Sequence, residues 1–207
     1  MRIITISRQF GSGGRELGKR LSDRLGWDYY DREIIDALAE AHGYEPDFVK
    51  RALVNHGWQN MQLTYRNSFS HLLYDPGQRT ELLVREREIL RGIAELDSDC
   101  IIIGRDADVI LEDCHPFRIF ICAELQARLE RCMRHEERRP EAERLTEKQI
   151  LRNIRRMDRN RARTREILTG KSSGDCSAFD LTVNTTGWEI HRLTEAVADF
   201  ALRRFEE

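Results

Sequence analysis

No apolar run in the chain approaches the ~18 residues that a membrane-spanning helix needs, and no charged-then-apolar leader opens it, so the expectation is a protein without a membrane anchor. Cysteine is sparse. Cys100, Cys114, Cys122, Cys132 and Cys176 are five, an odd number, with no CxxC spacing and no paired histidines. That argues against a disulfide framework or a zinc site and for a reduced, cytoplasmic setting. Neither charge sign dominates: 34 Lys and Arg stand against 36 Asp and Glu, a formal net charge of −2, which argues against general affinity for nucleic acid. Internal repeats and low-complexity tracts are lacking, and nothing indicates an oligomer, though nothing forbids one. What remains is 207 residues with 40% apolar and 34% charged side chains, one globular domain long enough to bury a core, with arginines crowded between Arg128 and Arg165.

The most informative stretch is RIITISRQFGSGGRELGKRLSDRL, Arg2 to Leu25. Its β-branched run Ile3 to Ile6 suits a buried parallel strand; the cluster Gly11, Ser12, Gly13, Gly14 follows; then Leu17, Leu21 and Leu25 recur four apart, as on one face of a helix. A strand, glycine loop and helix in this order bring unpaired backbone N–H groups to a helix N-terminus, where an anion is favoured. The spacing is that of GxxxxGK(S/T) with its side chains changed. Arg8 takes the first glycine's place, Gly13 is the second glycine, Gly14 stands where the lysine belongs and Arg15 where the hydroxyl belongs. The alternative is a plain strand-to-helix turn with glycines for close packing.

Downstream, Trp27–Tyr30 reads as a short strand and Asp31 as the N-cap of a helix carrying Ile34, Ile35 and Leu38. Residues 58–74 have no clear period. Arg79–Leu96 carries a helical apolar stripe, Cys100–Ile103 is an apolar strand running into Gly104-Arg105-Asp106, and Phe117–Cys122 is a strand before a helix from about Leu125 to Arg138. Thr146 with Gln149 predicts a capping box opening a long helix that Gly170 stops. Asp180–Asn184 is the last strand, and Thr186 with Glu189 predicts a second capping box before a terminal helix. Strands alternating with helices predict a three-layer α/β/α fold with a parallel sheet and a ligand rim at the strands' carboxyl ends.

The wording SRQFGSGGRELG, with the GRD stretch at 104–106 and RRMDRNRAR at 155–163, resembles the cytidylate kinase-like family, in which the Walker lysine is routinely missing. The resemblance implies a P-loop NTPase fold with a five-stranded parallel sheet in the order 2-3-1-4-5. It implies a single domain over 1–207, with an acceptor-binding insertion over about 33–78 and a lid over about 138–172. The implied activity is transfer of the ATP γ-phosphoryl to a nucleoside monophosphate, CMP or dCMP, with Mg2+.

On this reading Gly11, Ser12, Gly13, Gly14, Arg15 and Glu16 cradle the ATP phosphates, with Arg15 the nearest cation able to replace the lysine. The resemblance assigns Asp31, Arg105 and Asp106 to the acceptor; it matches Asp158, Arg159 and Arg161 to the family's lid segment and leaves Arg155 or Arg156 to supply its first arginine. Arg15, Arg159 and Arg161 are then the groups at the transferring phosphoryl. Magnesium needs oxygen ligands, for which Ser12, Glu16 and a water held by Asp106 are the candidates. Each has a plainer role: Arg15 a solvated first-turn residue, Arg105 and Asp106 a turn-closing pair, Asp31 a simple cap, and 155–163 a solvated basic face. For the whole chain the alternatives are a nucleotide-binding regulator with little turnover, a kinase for another phosphate-bearing small molecule, and a nucleic-acid-binding module using the 128–165 arginines.

Overall fold

Ile3, Ile4, Thr5 and Ile6 are all buried, as a strand with sheet on both edges and helices on both faces demands, and Ile3–Arg8 forms the central strand β1. It pairs in parallel with β3 (Cys100–Ile103), whose four residues are also buried, and with β4 (Phe117–Cys122). The strand β2 (Asp28–Tyr30) adds outside β3, and β5 (Leu181–Asn184) outside β4, giving the order β2-β3-β1-β4-β5. Only β5 alternates between half-buried and exposed residues, as a sheet edge with one covered face should. The computed structural model describes residues 1–31, 76–104, 106–170 and 172–206; almost all of the expected acceptor insertion, together with Arg105 and Lys171, lies outside the described residues.

Between β1 and β2 runs α1 (Gly14–Leu25), burying Leu17, Gly18 and Leu21, and Gly26 in the left-handed conformation ends it. Gly18 lets the helix lie close on the sheet: a Cβ there would come within 2.3 Å of Ile103 Cδ1. The remaining described α-helices are α2 (Pro76–Ala94), the single-turn α3 (Ala107–Ile110), α4 (Leu125–Glu136), α5 (Glu147–Thr169) and α6 (Ile190–Glu206). α1 packs on α6, and α4 on α5. One main core joins the inner strands to Leu17, Leu21, Leu90, Val197 and Ala201. A smaller cluster, Leu129, Ile150 and Ile154 with Phe10, fastens α4 and α5 to the glycine loop.

The capping box at Thr146 and Gln149 is formed, and Gly170 closes α5 at φ 66°. The one expected at Thr186 and Glu189 is not. α6 begins at Ile190, and the Thr186 hydroxyl instead donates to Asn184 Oδ1 at 2.7 Å and accepts from the Glu124 amide at 2.8 Å. The end of β5 and the start of α4 compete for that hydroxyl at closer range than the helix does. No helix among the described residues is long and apolar enough to cross a membrane.

Candidate functional site

At the carboxyl end of β1 the chain turns through Gln9–Gly13 into α1. The Gln9 amide continues the ladder to Ile121 O at 2.9 Å, its side-chain oxygen takes the Ala123 amide at 3.1 Å, and Ser12 Oγ donates to Gln9 O at 2.9 Å. The loop carbonyls are held by side chains from α4, α5 and the turn after β5. Arg161 Nη1 donates to Arg8 O at 2.8 Å, Arg128 Nη1 to Phe10 O at 3.3 Å, Arg131 Nη1 to Gly11 O at 2.8 Å, and Thr185 Oγ1 to Ser12 O at 2.7 Å. In a planar trans peptide the following N–H points away from the carbonyl, so anchoring Phe10 O and Ser12 O on the outside aims the Gly11 and Gly13 amides inward. The first turn of α1 adds N–H groups that no helix can satisfy internally. The product is a concave row of donors, a nest for an anion.

Glycine is required twice in this row. Gly11 has φ 76° and a Cβ there would lie 2.9 Å from Cys132 Sγ; Gly13 has φ 83° and its Cβ would lie 2.5 Å from Ile190 Cδ1. Asp158 braces the same loop from α5: one carboxylate oxygen accepts the Phe10 amide at 2.8 Å and the other pairs with Arg128, a buried guanidinium. Two oppositely charged side chains thus hold both polar groups of Phe10.

The loop floors a cavity of about 680 Å³ whose wall carries Arg15, Lys19, Arg131, Arg134, Arg138 and Arg161. Burial and the nearby Arg134 pull the Arg131 guanidinium below its usual value, an electrostatic cost that a bound anion would relieve. His135, also on the wall, is pushed down by burial and then by Arg138, and burial raises the neighbouring Cys132 thiol to about 11. Trp188 is exposed at the same cavity.

Gly11, Ser12, Gly13, Gly14, Arg15, Glu16, Asp31 and Arg161 of the sequence-based candidates all line this space. Arg15 does not project alone: its Nη2 lies 2.6 Å from Asp31 Oδ2, and the Tyr29 hydroxyl, its pKa raised chiefly by burial, donates to the same oxygen at 3.5 Å. Arg155 and Arg159 are exposed on α5, Arg156 donates to Asn153 Oδ1 at 3.1 Å, and none of these three lines the cavity. Asp106, in the left-handed region at φ 49°, faces the buried Arg165 at 3.6 Å, and Asp108 meets the same guanidinium at 2.7 Å. Arg105 lies outside the described residues.

The candidate oxygen ligands for magnesium each have a partner within the chain. Ser12 is fully buried with its hydroxyl turned to Gln9, Glu16 pairs with Arg20 at 2.9 Å, and Asp106 is engaged by Arg165. Among the described residues no three His, Cys, Asp or Glu side chains gather as a metal cluster.

Sequence reasoning missed Arg128, Arg131, His135 and Thr185. A signal for part of this set exists, since 131, 134, 135 and 138 fall at i, i+3, i+4 and i+7, one helical face.

The fold is shared with solved structures of low identity. An uncharacterized protein from Eubacterium ventriosum ATCC 27560 superposes with a TM-score of 0.69 at 20% identity, covering 97% of this chain and 98% of that one. Shikimate kinase from Bacteroides thetaiotaomicron gives 0.54 at 14% identity over 96% and 97%, and shikimate kinase from Acinetobacter baumannii, in complex with shikimate, gives 0.52 at 13% over 99% and 94%. No curated protein matches the chain. Residues 3–187 match the cytidylate kinase-like family, which supports a kinase-like, nucleotide-binding role. With that match spanning most of its length, the chain belongs to the cytidylate kinase-like family.

Proposed function

We propose that the protein is a cytoplasmic phosphotransferase that moves the γ-phosphoryl group of ATP to a nucleoside monophosphate, CMP or dCMP first among them. The observation that supports this reading is the anchoring of Phe10 O by Arg128 and of Ser12 O by Thr185, neither of which lines the cavity; it turns the Gly11 and Gly13 amides the other way, toward a cavity walled by cations. Such a cradle suits a polyphosphate, and phosphoryl transfer asks mainly for alignment and charge neutralisation.

The chain's own groups would divide the work. The loop amides and the α1 N-terminus hold the donor phosphates, Arg131 and Arg161 line the wall beside them, and Trp188 offers a ring face to a base. Asp31 and Arg15 mark the acceptor side, where residues about 33–78 would complete the lobe and Arg105 with Asp106 would meet the acceptor. The segment about 138–172 would serve as the lid. Magnesium, carried with the nucleotide, would neutralise phosphate charge when bound. Excluding water from the cavity would favour the monophosphate as acceptor.

A second reading, a nucleotide-binding regulator with little turnover, is favoured by Gly14 and Arg15 at the lysine and hydroxyl positions. Coupled release of ADP from MgATP, measured against a panel of nucleoside monophosphates, separates the two. Acceptor-dependent release supports the kinase; ATP binding with no release for any acceptor supports the regulator.

A further inference from the structure

The glycine at the lysine position has a spatial reason. A Cβ on Gly14 would lie 2.9 Å from Arg8 Cδ and 3.0 Å from Arg8 Cβ, with Ile121 Cβ at 3.2 Å. The Arg8 side chain therefore lies across the first residue of α1, in the space where any larger side chain at 14 would start. Its far end reaches the neighbouring strands: a Cβ on Gly104, just past β3, would be 3.6 Å from Arg8 Nη1, and the guanidinium charge is felt by the Tyr29 hydroxyl on β2. Arg8 also lines the phosphate cavity, and Arg161 fixes its backbone carbonyl at 2.8 Å. Arg15, by contrast, is held at 2.6 Å by the buried Asp31 carboxylate.

Positions 8 and 14 are thus an exchanged pair. In GxxxxGK the small residue ends the strand and the cation opens the helix; here the cation ends the strand and the small residue opens the helix. We propose that Arg8, reaching across Gly14 from the end of β1, carries the phosphate-binding charge that a P-loop lysine would carry from position 14. Gly14 is the vacancy that lets it do so. The inference rests on the loop being a triphosphate cradle and names the residue that completes it. An arginine gives a planar, bidentate grip on phosphate oxygens in place of a point charge.

The test is calorimetric titration of inorganic tripolyphosphate, and separately of MgATP, into the full chain and three variants: Arg8→Ala, Arg8→Lys and the double variant Arg8→Gly with Gly14→Lys. Thermal melting of each confirms that it is folded. Arg8→Ala is expected to weaken tripolyphosphate binding on the order of 30-fold, from the usual strength of a charged hydrogen bond. Arg8→Lys should lose less than half of that on a logarithmic scale, and the double variant should recover most of it by moving the cation back to position 14. The proposal is overturned if Arg8→Ala binds tripolyphosphate as tightly as the unaltered chain, if a double variant with unchanged melting binds no better than Arg8→Ala, or if the unaltered chain binds no tripolyphosphate. Because this readout needs no acceptor, the two readings fail separately. Arg8-dependent binding without turnover of any monophosphate removes the kinase reading alone, and turnover with Arg8-independent binding removes this inference alone.

Discussion

Arg15 Nη2 lies 2.6 Å from Asp31 Oδ2, joining the first turn of α1 to the residue that follows β2. Asp31 is only 1% exposed, so its charge is balanced inside the protein, while Arg15 keeps about a fifth of its side chain in solvent. The contact links the glycine loop's helix to the end of β2.

Removing the arginine would strand a buried carboxylate. Arg15→Ala is expected to cost about 2 kcal/mol of stability, below the range for a fully buried pair because Arg15 is partly solvated. Asp31→Asn should cost a similar amount, and the two changes together should cost clearly less than their sum. Urea unfolding of the four-member cycle measures this; strictly additive losses would contradict a direct pair.

Asp158 offers a test of support at a distance from the ligand. It accepts the Phe10 amide and pairs with Arg128, yet it does not line the cavity. Asp158→Ala should speed hydrogen exchange of the Phe10 amide at least about tenfold, corresponding to a lost charge-assisted hydrogen bond, and weaken ATP binding with it. Unchanged exchange would remove the brace.

Two glycines with similar dihedral angles should respond differently to alanine. Gly26 has φ 70° and nothing within 4 Å of its missing Cβ, so Gly26→Ala should cost about 1 kcal/mol, the backbone penalty alone, and leave ATP binding intact. Gly11 has φ 76° but faces Cys132 Sγ and Arg128 O at 2.9 and 3.0 Å, so Gly11→Ala should distort the loop and abolish ATP binding at any concentration up to millimolar. Equal affinities for the two variants would mean that the loop does not hold phosphate.

His135 gives the site a pH dependence whose sign follows from its surroundings. Burial and the adjacent arginines hold its folded pKa below 6.5, favouring the neutral ring. Its contribution to stability is therefore fully present above about pH 6.5 and is lost as the pH falls through the depressed value, because the unfolded chain binds the proton first. His135→Gln should flatten the stability profile below pH 6.5. A polyanion in the cavity would raise the ring's pKa, so ATP binding near pH 6 should take up more protons in the unaltered chain than in His135→Gln. Calorimetry in buffers of different ionisation enthalpy reads the difference; equal uptake would place the phosphates away from this wall.

Much of the fold was legible because it depends on local pattern. The four buried residues of β3, the leucine spacing of α1, the Thr146 capping box and the Gly170 stop are each decided within one element. The loop's glycines were legible too. Its supports were not, because Arg128 and Asp158 meet across 30 residues and Thr185 reaches Ser12 across 173. Arg8 could not be connected with Gly14 from the sequence, since that relation depends on where a strand-end side chain lies over the next helix. Thr186 and Glu189 had the spacing of a cap, and tertiary competition for one hydroxyl overrode it.

The most direct test of the central claim is product formation itself: MgATP labelled in the γ-phosphoryl, incubated with CMP or dCMP and the full chain, with transfer to the monophosphate followed by chromatography, and with Arg8→Ala in parallel. Label is expected in the nucleoside diphosphate, with a fall on the order of a hundredfold in Arg8→Ala, as loss of a charge-stabilising donor at the moving phosphoryl would produce. A chain that binds ATP yet places no label on either monophosphate would contradict that claim.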